Sequence, residues 1–235
     1  MRNLLLSLLL SVVVVASGCA STTRARDVTE SGFLGADYNL LEPGADDEAQ
    51  ERYIKPGVDW ASYRNVLLEP VTLWRGKTAG GEDVPRKQAQ VLTDYFYNVI
   101  KEALHTQGMQ LVSTPQPHTL RVAVAVTKPE EANVGLNVMS SVVPQLHVIS
   151  SLDKALTGKP AFVGQAQVEF KVTDAESGEL LAAGIDHRIG GNVLNNAALS
   201  SWGQVEEMMR LWADHGSYNL CKRQGRSDCV APKSS

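Results

Sequence analysis

The chain has 235 residues, of which 43% are hydrophobic and 20% are charged. These proportions are typical of a globular protein and exclude a largely disordered one. The formal net charge is −4 and the sequence contains no basic run, so we expect no nucleic-acid partner, because phosphate-binding surfaces concentrate Lys and Arg.

The first residues have the three regions of an export signal. Arg2 supplies a positive charge, an apolar run follows from Leu4 to Ala16, and small residues precede Cys19. The run is too short to span a bilayer core, which takes about 20 apolar residues. Residues 1–18 are therefore predicted to be a cleaved signal peptide. A buried N-terminal helix and a signal cleaved without lipid attachment are the alternatives.

The segment from Val15 to Cys19 resembles the lipobox of bacterial lipoproteins, with Ala16 where that motif more often has Leu. The resemblance implies that the Cys19 thiol carries a diacylglyceryl group and that the signal is cut just before it. Two or three acyl chains anchor a protein stably, because each buried methylene contributes about 0.8 kcal/mol. Since Ala20, and not Asp, follows the cysteine, the resemblance implies a periplasm-facing anchor in the outer membrane.

The other two cysteines, Cys221 and Cys229, stand close together near the C-terminus. In an oxidising compartment a disulfide is their default state, and closing so short a loop contributes roughly 2–3 kcal/mol. A metal site is only weakly indicated, because no second Cys or His pair stands at ligand spacing. We therefore predict a disulfide, no metal and no cofactor.

The chain is predicted to form one domain between two polar ends. Residues 19–50 are interpreted as the lipidated N-terminus and a polar tether, with the apolar residues 31–34 docked on the domain. Residues 51–220 form the globular domain, and residues 221–235 form a tail that carries the disulfide.

Hydrophobic periodicity predicts the elements of that domain. In chain order they are a strand at 66–71, a helix from a cap at Asp83 to Thr106, strands at 109–113 and 120–127, a hairpin from Phe162 to Ile189, and a helix from about Ser201. The helix stripes are Val91, Leu92, Tyr95, Phe96, Val99, Ile100, Ala103 and Leu104 in the first, and Trp202, Val205, Met208, Met209 and Trp212 in the second. This order predicts an α+β sandwich: a mostly antiparallel sheet with two main helices on one face.

The hairpin carries the strongest local pattern. Apolar and polar residues alternate on both strands, and a turn at 175–178 would pair Val172 with Leu181. In that register Asp186 and Arg188 share the polar face with Gln167 and Gln165 opposite, while His187 points to the apolar face. We therefore interpret Asp186 and Arg188 as an ion pair on a half-exposed strand rather than as part of a hydrolytic site.

Two further segments leave the function open. The Gly-rich run at 76–81 lacks the order of a phosphate-binding P-loop and is interpreted as a flexible connector. The apolar, serine-interrupted stretch at 134–156 either completes the core or presents apolar surface to a partner protein or the bilayer.

Short pieces spread along the chain resemble, in their order, a family of Gram-negative lipoproteins known only as a domain of unknown function. The likeness runs over residues 31–215 and excludes the tail after Leu220. It implies the anchor and gives no activity. The pieces are Ser31-Gly32-Phe33-Leu34 with Tyr38, Arg52-Tyr53-Ile54 with Pro56, Tyr63 with Glu69-Pro70-Val71, Gly164 with Glu169, Asp174 with Gly178-Glu179, Asp186 with Arg188 and Gly190, and Trp202 with Trp212-Ala213.

Together these features favour a non-enzymatic binding or assembly module, held to the outer membrane through Cys19 and acting on an unidentified envelope protein. The alternative is an envelope hydrolase or lipid-handling protein that uses residues around Asp186 and the 134–156 segment. Self-assembly through an exposed sheet edge is a third possibility.

Overall fold

One mixed sheet and two long helices make up the part of the chain that the computed structural model describes, which is residues 22–74, 86–127, 165–189 and 201–232. The helices are α1 (Arg86–Thr106) and α2 (Ser201–Arg223), and two short 3-10 helices lie at Gly35–Leu40 and Trp60–Ser62. The strands are β1 (Thr23–Arg24), β2 (Glu42–Pro43), β3 (Glu51–Ile54), β4 (Asn65–Leu68), β5 (Thr72–Trp74), β6 (Gln110–Leu111), β7 (Thr119–Thr127), β8 (Gln165–Asp174) and β9 (Leu180–Ile189).

The strand order is β2-β3-β9-β8-β7-β4-β6, with β1 added beside β9 and β5 added beside β7. Strands β7, β8 and β9 and their neighbours β1, β2 and β3 pair antiparallel, whereas β4, β5 and β6 join by parallel pairing. The predicted α+β class is confirmed, and the sheet is mixed because α1 acts as a crossover between the parallel strands.

The strand predicted at 66–71 ends earlier than expected, and a separate strand begins beyond its predicted end. β4 ends at Leu68 and β5 begins at Thr72, with Pro70 between them. Proline has no backbone N–H to give to the ladder, so the pairing with β7 stops there and resumes beyond it.

Both helices pack on one face of the sheet, which we call the helix face. It carries Val66, Leu68, Leu120, Val124, Val126, Ala166 and Val168, which are buried against Leu92, Phe96 and Ile100 of α1 and Val205, Met208 and Met209 of α2. The predicted stripes of the helices are therefore largely correct. Val91 is the exception, because it is 47% exposed at the edge of the α1 stripe. The side chain of Trp202 lies outside the described residues.

The predicted hairpin register is wrong by one residue. Val172 pairs with Ala182 and Phe170 with Gly184, because an irregularity between Val172 and Thr173 inserts an extra residue near the turn. The Phe170 ring explains the preference for this register: a Cβ at position 184 would lie 2.7 Å from the ring, so only glycine fits opposite it. Asp186 therefore lies on the helix face, and His187 on the opposite one.

The predicted tether is shorter than residues 19–50, because the chain enters the sheet at Thr23, which pairs with Ile189. Residues 25–40 then cross the second face of the sheet, which we call the N-terminal face, and bury Leu34 to 1% exposure. Backbone groups of this polar segment form hydrogen bonds with side chains of the sheet. Residues 25–40 are therefore docked on the domain rather than forming a free tether, and we call them the strap.

The C-terminal tail begins on a helix. Cys221 lies in the last turn of α2 and forms a disulfide with Cys229, the pairing favoured by their spacing. The expectations for Cys19, the Gly-rich run at 76–81 and the 134–156 segment fall outside the described residues. Among the helices that are described, none combines the length and apolarity needed to cross a bilayer.

Candidate functional site: a cavity beneath the second helix

A cavity of about 200 Å³ lies between the helix face, α1 and the second half of α2. Asp47 and Gly216 are the exposed members of its lining and mark its mouth. Phe170 and Val172 remain half-buried because they face this space. The apolar lining consists of Ile54, Trp60, Phe96, Ile100, Leu104, Val122, Val124, Val168, Phe170, Val172, Ala182, Leu211, Trp212, Ala213 and Leu220.

The loop at 45–49 is bonded to α2 across this mouth. The Asn219 amide donates to the Asp47 carbonyl oxygen at 2.7 Å. The Glu48 carboxylate accepts from Arg52 Nε at 2.9 Å and also from the Arg223 guanidinium. Burial tends to raise the pKa of Glu48, but the bonds from Arg52 and the Ala45 N–H outweigh it and hold that pKa below its usual value. Glu48 is therefore the anion that joins the loop to both arginines.

Asp186 also lines the cavity, close to the loop at 45–49, and its side chain is only 2% exposed. Its Oδ2 accepts from Arg188 Nε at 2.6 Å and from the Trp212 indole N–H at 2.7 Å, and its Oδ1 accepts from the Gln50 backbone N–H at 3.0 Å. Arg24 Nε lies 3.7 Å from Oδ1. One carboxylate thus connects β9, α2, β1 and the loop before β3.

The predicted pair of Asp186 and Arg188 does form, but not where the sequence placed it. In the observed register Val168 and Ala166 stand opposite the pair, rather than Gln167 and Gln165. The interpretation of an ion pair on a half-exposed strand is therefore corrected to a buried junction. Periodicity placed Trp212 on the buried stripe of α2 but did not predict that it meets Asp186. It gave no signal for Arg24 of β1, since both residues approach Asp186 only through tertiary packing.

A second polar cluster lies on the N-terminal face. Glu169 accepts from the Tyr38 hydroxyl at 2.6 Å and from the Ser31 N–H at 3.1 Å, and Gln167 exchanges hydrogen bonds with the backbone of Thr29. Burial raises the pKa of Glu169 above its usual value, although the bonds from Tyr38 and Ser31 oppose that rise. The polar side chains predicted to face solvent are therefore buried beneath the strap.

The described residues contain no arrangement suited to nucleophilic catalysis. Ring nitrogens of His187 and His215 contact the backbone carbonyl oxygens of Asp27 and Asp47, and no hydrogen bond joins either ring to a serine or cysteine side chain in these parts of the chain. Within the same ranges no group of three or more His, Cys, Asp and Glu residues could hold a metal ion. Most of the side chains that line the cavity are apolar.

Comparison with solved structures finds PelC dodecamers from Paraburkholderia phytofirmans. A single-residue variant is 13% identical with a TM-score of 0.33, covering 68% of this chain and 92% of that chain. A second PelC dodecamer is 11% identical with a TM-score of 0.32, covering 68% of this chain and 93% of that chain. Scores this low support no functional comparison. A search of curated proteins finds no match. The profile of the DUF3313 family matches residues 29–215, and the chain therefore belongs to this family of proteins of unknown function.

Proposed function

We propose that this protein is an outer-membrane lipoprotein, anchored through Cys19, whose periplasmic domain is a non-enzymatic module that binds an aliphatic group in the cavity beneath α2. The export-signal pattern and the lipobox-like residues before Cys19 support the anchor. The cavity between α2 and the helix face carries the binding proposal.

The free energy of an empty cavity supports an occupant. Closed cavity volume costs about 24 cal/mol per Å³, so the roughly 200 Å³ here, which opens to solvent at its mouth, would cost at most about 5 kcal/mol if it were dry. Native domains are stable by only about 5–15 kcal/mol. An apolar cavity does not recover this cost by taking up water, but an apolar cavity of about 150 Å³ binds a molecule such as benzene. An apolar ligand would recover much of the lost contact energy.

The charges around the cavity indicate the chemistry of the buried part of the ligand. Glu48 is paired with Arg52 and Arg223, and Asp186 with Arg188. A ligand charge that entered the cavity would have to break one of these pairs and lose its own hydration. The buried part of the ligand is therefore uncharged and apolar.

Of the alternatives to a protein-binding module, lipid handling is the one that the cavity favours. A hydrolase would need a nucleophile beside a base at the cavity wall. The wall instead offers Asp186, whose oxygens already accept three hydrogen bonds from protein donors. A flat apolar patch would have favoured a protein partner over a small ligand, whereas this site is concave.

A titration with the apolar fluorophore N-phenyl-1-naphthylamine tests the proposal. We expect saturable binding by the wild-type protein and displacement by a medium-chain alcohol. Gly216→Leu should weaken binding at least tenfold, because position 216 is at the mouth and no heavy atom lies within 4 Å of a Cβ built there. Asn98→Leu is the matched control, since it adds the same side chain to an exposed position of α1 away from the cavity.

Equal fluorophore affinity of wild type and Gly216→Leu, or no saturable binding at all, would contradict the cavity as the ligand site. The anchor is tested separately. Cys19→Ala should release folded protein from membranes and abolish labelling by a radioactive fatty acid, and labelling that survives this substitution would rule out Cys19 as the attachment site.

A further inference from the structure

One end of the sheet lies close to the proposed lipid. Thr23 begins β1 and pairs with Ile189, the last residue of β9. Only four peptide steps separate Cys19 from Thr23. An extended chain spans at most about 3.5 Å per residue, so Cys19 lies within about 14 Å of β1.

The same end of the sheet collects the tips of four further strands. Trp74 at the end of β5 pairs with Thr127 at the end of β7, and Gln165 at the start of β8 pairs with Ile189. We call these four residues, together with Thr23, the anchor end. The β8–β9 turn at 175–179 lies at the opposite end, and ten residues of β8 at about 3.3 Å each place it roughly 30 Å away.

Large apolar side chains are exposed at the anchor end. Trp74 is 39% exposed and Ile189 is 41% exposed. Phe33 packs edge-on against Trp74, with ring centroids 5.4 Å apart, and the Trp74 indole N–H donates to the Ser31 carbonyl oxygen. An aromatic ring with one polar handle is the side-chain type that concentrates at membrane interfaces.

We propose that the anchor end of the sheet rests on the bilayer surface, with Trp74 and Ile189 at the level of the lipid headgroups and the β8–β9 turn pointing away. The proposal rests on lipidation of Cys19, which would bring the bilayer within reach of β1. Because only four peptide steps join Cys19 to β1, we expect the bilayer, rather than a second copy of the chain, to contact this surface.

The mature lipidated protein tests this orientation in vesicles of phosphatidylethanolamine and phosphatidylglycerol that contain a headgroup-spin-labelled lipid. A single cysteine is introduced by Ile189→Cys, Thr72→Cys or Glu176→Cys and carries a nitrobenzoxadiazole fluorophore. Thr72 lies two residues from the tip of β5, and Glu176 is exposed in the distal turn. We expect several-fold stronger quenching at positions 189 and 72 than at position 176.

Each other result overturns the orientation. Equal quenching at positions 189 and 176 would mean that the domain lies on its side. Quenching at 189 but not at 72 would mean that only the β1 corner approaches the lipid. Flotation with the vesicles but no quenching at either position would mean that the anchor end does not touch the bilayer. Failure to float would instead overturn the lipid anchor itself, together with the orientation.

Discussion

At the scale of single residues, Asp186 joins several parts of the molecule, whereas the hairpin pattern predicted only its pairing with Arg188. The carboxylate is the shared acceptor of Arg188, Trp212 and the Gln50 backbone. Removing one partner of a buried ionic junction leaves the other donors unsatisfied, and the cost of that loss usually exceeds the net contribution of the pair.

Asp186→Ala is therefore expected to lower the free energy of unfolding by about 3–5 kcal/mol, which corresponds to a fall in Tm of roughly 10 °C. Thermal unfolding followed by circular dichroism measures it. Asp46→Ala is the matched control, because Asp46 also approaches Arg24 but its side chain is fully exposed. That control should leave Tm unchanged. A loss of ligand binding by Asp186→Ala at unchanged Tm would indicate a direct role in function instead.

Glu169 gives a prediction that depends on pH. Burial raises the pKa of Glu169 in the native protein. At pH values between the pKa of Glu169 in the unfolded chain and its pKa in the native protein, the native state therefore binds more protons than the unfolded state. The free energy of unfolding should therefore fall as pH rises through that range, and Glu169→Gln should remove this loss. Urea titrations from about pH 4 to about pH 8 should show the variant gaining stability relative to wild type.

Glu176→Gln, at an exposed position in the β8–β9 turn, is the control for that experiment and should follow the wild-type pH profile. If Glu169→Gln instead lost stability relative to wild type as the pH rose, the ionised carboxylate would be the form that the strap stabilises. The assigned effect of burial on Glu169 would then be wrong.

At the scale of elements, the boundaries of the long elements and the buried faces of the helices were predictable, whereas the register and partners of the strands were not. The three-and-four spacing from Leu92 to Leu104 correctly gave α1 and its end at Thr106. Alternation correctly gave β8 and β9 but failed on their register, because one inserted residue exchanges the faces of a strand. The strap over Glu169 also escaped prediction, since a chain crossing from more than a hundred residues away leaves no local pattern.

The register can be tested through glycine. Gly184→Ala should cost about 1–3 kcal/mol, because its Cβ would meet the Phe170 ring at 2.7 Å. The same substitution at Gly216 should stabilise α2 by up to about 1 kcal/mol, because alanine favours the helix and space is available there. Denaturant unfolding measures both.

Phe170→Leu should recover part of the loss in the Gly184→Ala background, since a smaller side chain relieves the clash. Two alanine variants of equal stability, or no recovery by Phe170→Leu, would favour a register in which Phe170 and Gly184 do not face each other.

At the scale of the whole molecule, a cavity remains between the helices and the sheet. At its mouth the loop at 45–49 is joined to α2 by the ion pair between Glu48 and Arg223. No sequence pattern predicted this cavity, because it is the space left unfilled where side chains of the sheet, α1 and α2 do not reach one another. Periodicity reports only which side chains face inward. The candidate site was therefore visible only in the tertiary structure, whereas the proposed anchor is inferred from the sequence around Cys19 alone.

We claim that this cavity holds an aliphatic ligand in the working protein. Native mass spectrometry of the mature protein, purified gently from its own membranes, measures this directly. We expect the wild-type protein to carry an additional non-covalent mass that gas-phase activation releases as an aliphatic molecule, and we expect Gly216→Leu to lack it. A wild-type spectrum that shows only the lipidated chain, identical to that of Gly216→Leu apart from the substitution, would contradict the claim.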